Sequence, residues 1–158
     1  MSEVSIFRNF AQLIEHKPIT SVLSNIQSGT YRASIEAIRK LMAENKTGEA
    51  ETLKKQLPGF TPSGKFENGR KADRLTTYSG FVILDLDKLN PEQLTTAKAT
   101  AAKAPFTFAA FVSPSGNGLK IIVPVASSAE YHKTAFQQVA GHYQQALQLA
   151  VDPSGKDV

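Results

Sequence analysis

Apolar and polar positions alternate most clearly in the second half of the chain, between residues 81 and 87. Val82, Leu84 and Leu86 occupy the even positions, whereas the odd positions end in Asp85 and Asp87. Because successive side chains of a strand point to opposite faces, this segment presents one apolar face and one face that ends in two acids. The pattern predicts a β-strand whose apolar face packs on a core and whose acidic end lies on an open face.

The segments after this strand predict a helix, a strand, a turn and a further strand. Asn90 followed by Pro91 is typical of a helix N-cap and the first helical residue, and Pro105 ends that helix. Strands are expected over 106–112 and 119–125, where apolar residues predominate. In the last of these strands every second residue is apolar, which directs the side chains between them to the same open face as the two acids.

A long helix is predicted to close this half of the chain. Ser127 and Glu130 have the spacing of a capping box. Four residues at helical spacing should face inward: Phe136, Val139, Tyr143 and Leu147. The resulting α/β (α+β) order, β-α-β-β-α, is one strand short of the ferredoxin-like or RRM-like unit. Because the missing strand should follow Asp152, we expect that strand to be truncated and the chain to be part of a longer protein.

The first half of the chain is predicted to be mainly helical. A short strand is expected near 4–10, and Thr20 and Gly29 are typical of the start and stop of a helix. Helical patterns follow over 31–44 and up to Pro58. Residues 58–74 form a Gly/Pro-rich, basic connection. We therefore divide a single domain, 1–158, into an N-terminal helical part with its connection (1–75) and a ferredoxin-like half (76–158).

The composition excludes several classes of protein but does not indicate one function. The chain has 158 residues, no cysteine and a net charge of +4. A disulfide framework and a cysteine-based metal site are therefore excluded. The N-terminus lacks the basic start and apolar segment of a signal peptide, and no apolar run reaches membrane-spanning length. We predict a cytoplasmic protein with no membrane partner, and the basic charge permits a nucleic-acid partner.

Asp85 and Asp87 are the candidate metal ligands. Two neighbouring carboxylates repel each other, and a nearby cation or water relieves the cost. Hard divalent cations such as Mg²⁺ or Mn²⁺ bind carboxylate oxygens. The alternative is that the pair only belongs to a turn or a cap at the end of the strand.

The turn over residues 113–118 and the lysine two residues later are the candidate phosphate-binding elements. The turn offers backbone N–H groups and two hydroxyls, and Lys120 should share the open face with the acids. The candidate nucleotide-binding residues are Ser113, Ser115, Gly116, Asn117, Gly118 and Lys120. Together with a metal they suggest a bound nucleoside triphosphate and in-line nucleotidyl transfer. Alternatively, the Asn-Gly sequence only closes a hairpin, and Lys120 is only solvated.

Three basic residues of the connection are candidate nucleic-acid contacts. Arg70, Lys71 and Arg74 lie within five positions of one another. Basic side chains in an exposed loop can bind template or nucleotide phosphates. The alternative is that this loop is simply solvated.

Three segments together resemble a known family. They are 57–66 (LPGFTPSGKF), 78–87 (YSGFVILDLD) and 113–120 (SPSGNGLK). They resemble the VirE N-terminal domain, a primase-like domain of Bacteroides-type mobile elements, within the archaeo-eukaryotic primase (primase-polymerase) superfamily. The second segment is similar to that superfamily's hydrophobic-DxD motif, and the third is similar to its second motif.

The resemblance implies a primase-polymerase-type nucleotidyltransferase module of a mobile genetic element. It implies a DNA template, a helicase or other domain elsewhere in the parent protein, and a third catalytic acid, for which Asp152 is the first choice and Asp157 the second. The superfamily has a histidine at the position of Lys120. This departure favours a competing class, a nucleic-acid- or nucleotide-binding module that has lost the chemistry. A protein-interaction module, indifferent to metal and nucleotide, is the third class.

Overall fold

The computed structural model describes residues 2–9 and 11–158, in a mixed α+β fold. The chain divides into two compact units. Unit 1 comprises the chain up to Ser79 together with Pro114–Gly116, and unit 2 comprises Gly80–Ser113 and Asn117–Val158.

Unit 1 contains two small antiparallel sheets. The first has the strand order β2-β1-β3, and the second pairs β4 with β5. The strands are β1 (Glu3–Arg8), β2 (Gln12–Pro18), β3 (Gly59–Thr61), β4 (Gly64–Phe66) and β5 (Leu75–Tyr78). The strand predicted near 4–10 corresponds to β1, although Phe10 lies outside the described residues. The predicted loop over 58–74 is wrong in part, because β3 and β4 lie within it. Strands of three residues are too short to show a period of two.

Unit 1 contains three helices, in the part of the chain that is predicted to be mainly helical. They are α1 (Ile19–Ser28), α2 (Arg32–Ala43) and α3 (Thr47–Lys54). Gly29 ends α1 in the left-handed conformation, which confirms the predicted stop. The predicted start at Thr20 is wrong, because α1 already begins at Ile19 after Pro18.

Unit 2 has the predicted β-α-β-β-α order. Its strands β6 (Phe81–Leu86), β7 (Ala109–Val112) and β8 (Leu119–Pro124) form an antiparallel sheet in the order β6-β8-β7. The helices are α4 (Pro91–Lys103) and α5 (His132–Leu147). The first and third strands of the unit are therefore neighbours, as the ferredoxin-like prediction requires.

One face of this sheet and the inner faces of α4 and α5 form the core of unit 2. Val82, Leu84 and Leu86 are fully buried in it, which confirms the face predicted by alternation. Phe136 and Tyr143 of α5 belong to the same core, and Val139 and Leu147 pack against it. Burial of such side chains contributes roughly 1.5–3 kcal/mol each to folding.

The two helices of unit 2 begin differently from each other. Asn90 accepts a hydrogen bond from the backbone N–H of Gln93, whose side chain in turn accepts one from Asn90 N, so α4 has a complete capping box. The capping box predicted for Ser127 and Glu130 is wrong. A 3₁₀ helix (Ala129–Tyr131) precedes α5, and the Ser127 hydroxyl donates to the Ser128 carbonyl instead.

The end of the chain lies where the fourth strand of a ferredoxin-like unit is expected. Asp152 forms an antiparallel bridge with Asp85, and its N–H donates to the Asp85 carbonyl at 2.8 Å. A 3₁₀ helix (Pro153–Lys156) follows the bridge. Within the part of the chain that the structure describes, no helix combines the length and apolarity needed to cross a membrane. The cytoplasmic location stays a prediction.

Candidate functional site

Asp85 and Lys120 form an ion pair on the sheet face opposite the core of unit 2. They are direct register partners on β6 and β8, so their side chains lie on the same face. Lys120 Nζ donates to Asp85 Oδ1 at 2.5 Å, and the two side chains retain 29% and 21% of their exposure, respectively. The predicted shared face of these two residues is confirmed. Phe111 of β7 is the next partner of Lys120 across the sheet, a neighbour that the sequence analysis did not single out.

Asp152 joins this pair from the other edge of β6. Its bridge to Asp85 places its side chain on the same face. Its Oδ1 accepts a hydrogen bond from the backbone N–H of Ser154 at 2.8 Å. A hydrogen bond from the Ser154 side chain, this backbone hydrogen bond and, more weakly, the positive charge of Lys120 lower the pKa of Asp152. The carboxylate is therefore charged at neutral pH. Asp157, the second choice for a third acid, lies close enough to His132 to influence its titration.

Asp87 lies just beyond the end of β6 and is exposed. Strand alternation therefore no longer fixes the direction of its side chain. Within residues 2–9 and 11–158, no group of three or more His, Asp or Glu side chains is arranged to share a metal ion. The residues that could contribute oxygen ligands are Asp85, Asp87 and Asp152. Asp85 and Asp152, together with Lys120, leave a net negative charge on this face, which suits a hard cation.

The 113–118 turn approaches the end of β6 through its backbone. Leu89 N donates to the Asn117 carbonyl at 2.8 Å, and Ser113 N donates to the Gly118 carbonyl at 2.8 Å. Ser113 is buried, and a Cβ on Gly118 would lie 3.0 Å from the Leu86 carbonyl oxygen. The hydrogen bond between Ser113 and Gly118 therefore closes the β7–β8 hairpin, and Asn117 and Gly118 hold the turn against the end of β6. Asn117 remains partly exposed, as do Ser115 and Gly116.

The three residues in the middle of this turn, Pro114–Gly116, belong to unit 1. There they contact Arg39 of α2. Arg39 Nε donates to the Pro114 carbonyl at 3.4 Å. Gly116 has a φ of +83°, and a Cβ there would lie 3.2 Å from Arg39 Nε. The sequence analysis missed Arg39, because nothing in an exposed helix position reveals a contact with a turn 75 residues away.

The three basic residues of the 58–74 segment have different surroundings. The Arg70 guanidinium lies 5.7 Å from the centre of the Phe7 ring, and partial burial there lowers its pKa from the ordinary arginine value. Arg74 Nε lies 3.7 Å from Asp73 Oδ2. Lys71 is exposed. Their proposed contact with nucleic acid stays a prediction.

A buried serine, a histidine and a glutamate form a second polar cluster, in unit 1. Ser5 Oγ lies 3.0 Å from His16 Nδ1, and His16 Nε2 lies 3.0 Å from Glu67 Oε1. This series of contacts, from serine to histidine to glutamate, resembles a catalytic triad. Ser5 is fully buried, however, and its hydroxyl accepts the backbone N–H of Phe66 at 2.8 Å. The cluster therefore ties β1, β2 and β4 together, and it does not present a nucleophile to a substrate.

Comparison with known proteins gives one match. A search of curated proteins and a search of solved structures found none. A scan of protein families matches residues 52–158 to the family described as BT4734-like, N-terminal domain. The match covers well over half of the chain and includes all the acids and the turn described above. The chain therefore belongs to the BT4734-like N-terminal domain family.

Proposed function

We propose that this chain is a primase-polymerase-type nucleotidyltransferase module of a mobile genetic element, and that it binds a nucleoside triphosphate through a divalent metal. The observation that carries the proposal is the meeting of Asp85, Asp152 and Lys120 on one accessible sheet face. Two of the three sequence segments that resemble the VirE N-terminal domain supply Asp85, Lys120 and the adjacent turn, and Asp152 lies outside these segments. A DNA template and a helicase or other domain of the parent protein belong to the same proposal.

Each group has a distinct role in this proposal. Asp85 and Asp87, with Asp152 as the third acid, hold Mg²⁺ or Mn²⁺ through carboxylate oxygens. The metal supplies charge stabilisation for the attacking and leaving oxygens of phosphoryl transfer. Lys120 places a positive charge beside the phosphates. The backbone N–H groups of residues 115–118 serve the same anion, because the Ser113 N–H already donates to the Gly118 carbonyl and Pro114 has no N–H. This role is compatible with the hairpin function of the turn.

The ion pair between Asp85 and Lys120 favours a second candidate function. An ammonium on Asp85 already neutralises the acid that a metal would bind. A non-catalytic nucleotide- or nucleic-acid-binding module, with the lysine in place of a metal, uses the same fold and face. The two candidates differ in one measurable property, because only the first requires a divalent cation for nucleotide binding.

Calorimetric titration with ATP, with and without Mn²⁺, tests the proposal. We expect binding that depends on Mn²⁺ and that is lost in the double variant Asp85→Asn/Asp87→Asn. The matched control is Glu92→Gln/Glu130→Gln, which removes two exposed acids of unit 2 away from the sheet face. Unchanged affinity in the Asp85/Asp87 variant would contradict the proposed site. Binding of equal strength without Mn²⁺ would favour the non-catalytic module.

A further inference from the structure

We propose that the ring of Phe111 stacks on the base of a nucleotide whose phosphates lie at Lys120. The inference rests on the proposed function and extends it, because it names the side chain that contacts the base. Phe111 lies outside the three segments that resemble a known family. All the residues concerned belong to unit 2.

Phe111 ends a row of four side chains that crosses the sheet of unit 2. The isolated bridge joins Asp152 to Asp85, and the register of β6 with β8 joins Asp85 to Lys120. The register of β7 with β8 then joins Lys120 to Phe111. Direct partners across a sheet lie on the same face, so all four side chains lie on one face. We call these four residues the transverse row.

The side chain of Phe111 lies on the face opposite to the core of unit 2. Its neighbour Ala110 packs against that core, and successive side chains of a strand point to opposite faces. Phe111 is not among the described residues that form or border the core. It lies on the edge strand of the sheet and is partly exposed. An aromatic ring in this position is available to a ligand on the open face.

The order of the chemical groups along the transverse row matches that of a metal-bound nucleotide. The row changes from two carboxylates to an ammonium and then to an aromatic ring. A metal-bound nucleotide has a cation and phosphates at one end and a flat base at the other. Neighbouring strands lie about 4.8 Å apart, so two strand spacings, about 10 Å, separate Asp85 from Phe111. A base attached to phosphates at Lys120 can therefore reach the ring of Phe111.

The chemistry of phenylalanine determines what this contact can distinguish. The ring offers a π-face and no hydrogen-bonding group. Every base has a π-face, so stacking on an aromatic ring tolerates any base. Inorganic tripolyphosphate carries the same charged groups and lacks this contact. We therefore expect a site that binds nucleotides more tightly than tripolyphosphate and accepts all the bases.

Calorimetric titration with Mn²⁺ compares four forms of the 158-residue chain: the unaltered chain, Phe111→Leu, Phe111→Tyr and Phe106→Leu. Phe106 is the matched control, because it is a 59% exposed phenylalanine of unit 2 outside the transverse row, with its ring against His142. The probes are ATP and tripolyphosphate. Thermal melts establish that each variant is folded.

The expected losses separate the base from the phosphates. Phe111→Leu should weaken ATP about tenfold, the effect of one lost stacking contact, and should change tripolyphosphate by about twofold or less. Phe111→Tyr keeps an aromatic ring, so it should bind ATP nearly as the unaltered chain does. Phe106→Leu should match the unaltered chain with both probes.

A fluorescence measurement reports the stacking directly. The chain has no tryptophan, so Phe111→Trp introduces a single indole at the proposed contact. A base stacked on an indole quenches its fluorescence, so ATP should quench the signal and tripolyphosphate should leave it nearly unchanged. The control Phe106→Trp should respond to neither probe. This measurement decides the question even if Phe111→Leu does not fold.

Four results would overturn the inference, and they differ in what they leave standing. Full ATP affinity in Phe111→Leu, with affinity lost in Asp85→Asn/Asp87→Asn, removes the stacking contact and keeps the proposed function. Equal losses for ATP and tripolyphosphate make Phe111 a support for the sheet and not a base ligand. Binding of ATP to Phe111→Trp without quenching also excludes stacking. Absence of any binding of ATP and tripolyphosphate to the unaltered chain removes both the inference and the proposed function.

Discussion

Lys120 Nζ lies 2.5 Å from Asp85 Oδ1, so the residue proposed to hold phosphate is also the counter-ion of the residue proposed to hold metal. The two residues are 35 positions apart and become direct neighbours through the β6–β8 register. Asp152 is the next residue across the sheet, and its pKa is lowered mainly by hydrogen bonds from Ser154 and further by the same ammonium. Under the proposed function, a metal would compete with Lys120 for the same carboxylates, and this competition is open to experiment.

Replacing Lys120 should increase the affinity of the site for metal. In Lys120→Ala, Asp85 and Asp152 lose a positive neighbour, so Mn²⁺ should raise the melting temperature more than it does in the unaltered chain. Without metal, loss of this partly exposed pair should lower the free energy of unfolding by about 1 kcal/mol or less. Triphosphate binding should weaken more than nucleoside binding.

Differential scanning fluorimetry over a Mn²⁺ series measures the first of these effects. Lys98→Ala, which removes an exposed lysine from α4, is the control for net charge. An identical Mn²⁺ response in Lys120→Ala and in the unaltered chain would show that lysine and metal do not share ligands. Equal losses of triphosphate and nucleoside affinity would argue against a phosphate contact.

A second prediction concerns the segment that carries Asp152. A Cβ on Gly155 would collide with the Ile83 carbonyl oxygen and would lie 2.9 Å from Cε2 of Phe136. Gly155→Ala should therefore lower the free energy of unfolding by about 1–3 kcal/mol. It should also loosen the Asp85–Asp152 bridge, so the Asp152 amide should exchange its hydrogen faster.

Gly141→Ala is the matched control for this glycine. Gly141 lies within α5, and a Cβ there would meet nothing within 4 Å. Alanine is the better helix former, so this variant should gain about 0.5–1 kcal/mol. Urea unfolding measures both variants. A Gly155→Ala protein as stable as the original would mean that the end of the chain does not pack on β6 as described.

A third prediction concerns the pH dependence of stability. His132 is buried, and its Nε2 lies 3.1 Å from the Gly155 carbonyl oxygen. Burial lowers the pKa of His132 below its ordinary 6.5, although Gly155 and the charge of Asp157 oppose the shift. The unfolded chain therefore takes up the proton first as the pH falls. The stabilising contribution is complete above pH 6.5 and decreases as the pH falls from 6.5 toward the lowered pKa.

Urea unfolding at about pH 8 and about pH 5, which bracket the ordinary histidine pKa, measures this effect. His132→Gln should lose less stability between the two pH values than the unaltered chain does, because the titrating group is gone. His142→Gln, which removes an exposed histidine of the same helix, should retain the full pH dependence. If the His132 variant retains it as well, the pH dependence has another origin.

Local patterns in the sequence determined much of unit 2. Alternation along 81–87 identified both the core face with Leu84 and the open face with Asp85, because the pleat of a strand fixes side-chain direction residue by residue. The same rule placed Lys120 on the open face that carries Asp85. Asn90 and Gln93 cap α4 through groups three positions apart. The start of this helix could therefore be predicted from neighbouring residues. These features depend on period and local chemistry alone.

The fold class agrees with those patterns, but the patterns did not predict several elements. The strands β3 and β4 are too short to carry a period, and α5 begins after a 3₁₀ helix and not at the capping-box sequence. In both cases packing against distant residues decides the local conformation, and the local pattern is too weak to oppose it.

Only the tertiary structure decided which distant groups meet. The bridge of Asp152 to Asp85 depends on how α5 returns the chain to the edge of β6. The contact of Arg39 with Pro114 joins residues 75 positions apart. A sequence specifies the faces and ends of its elements through interactions over a few residues. The pairing of those faces follows from the packing of the whole unit, in which many weak contacts act together.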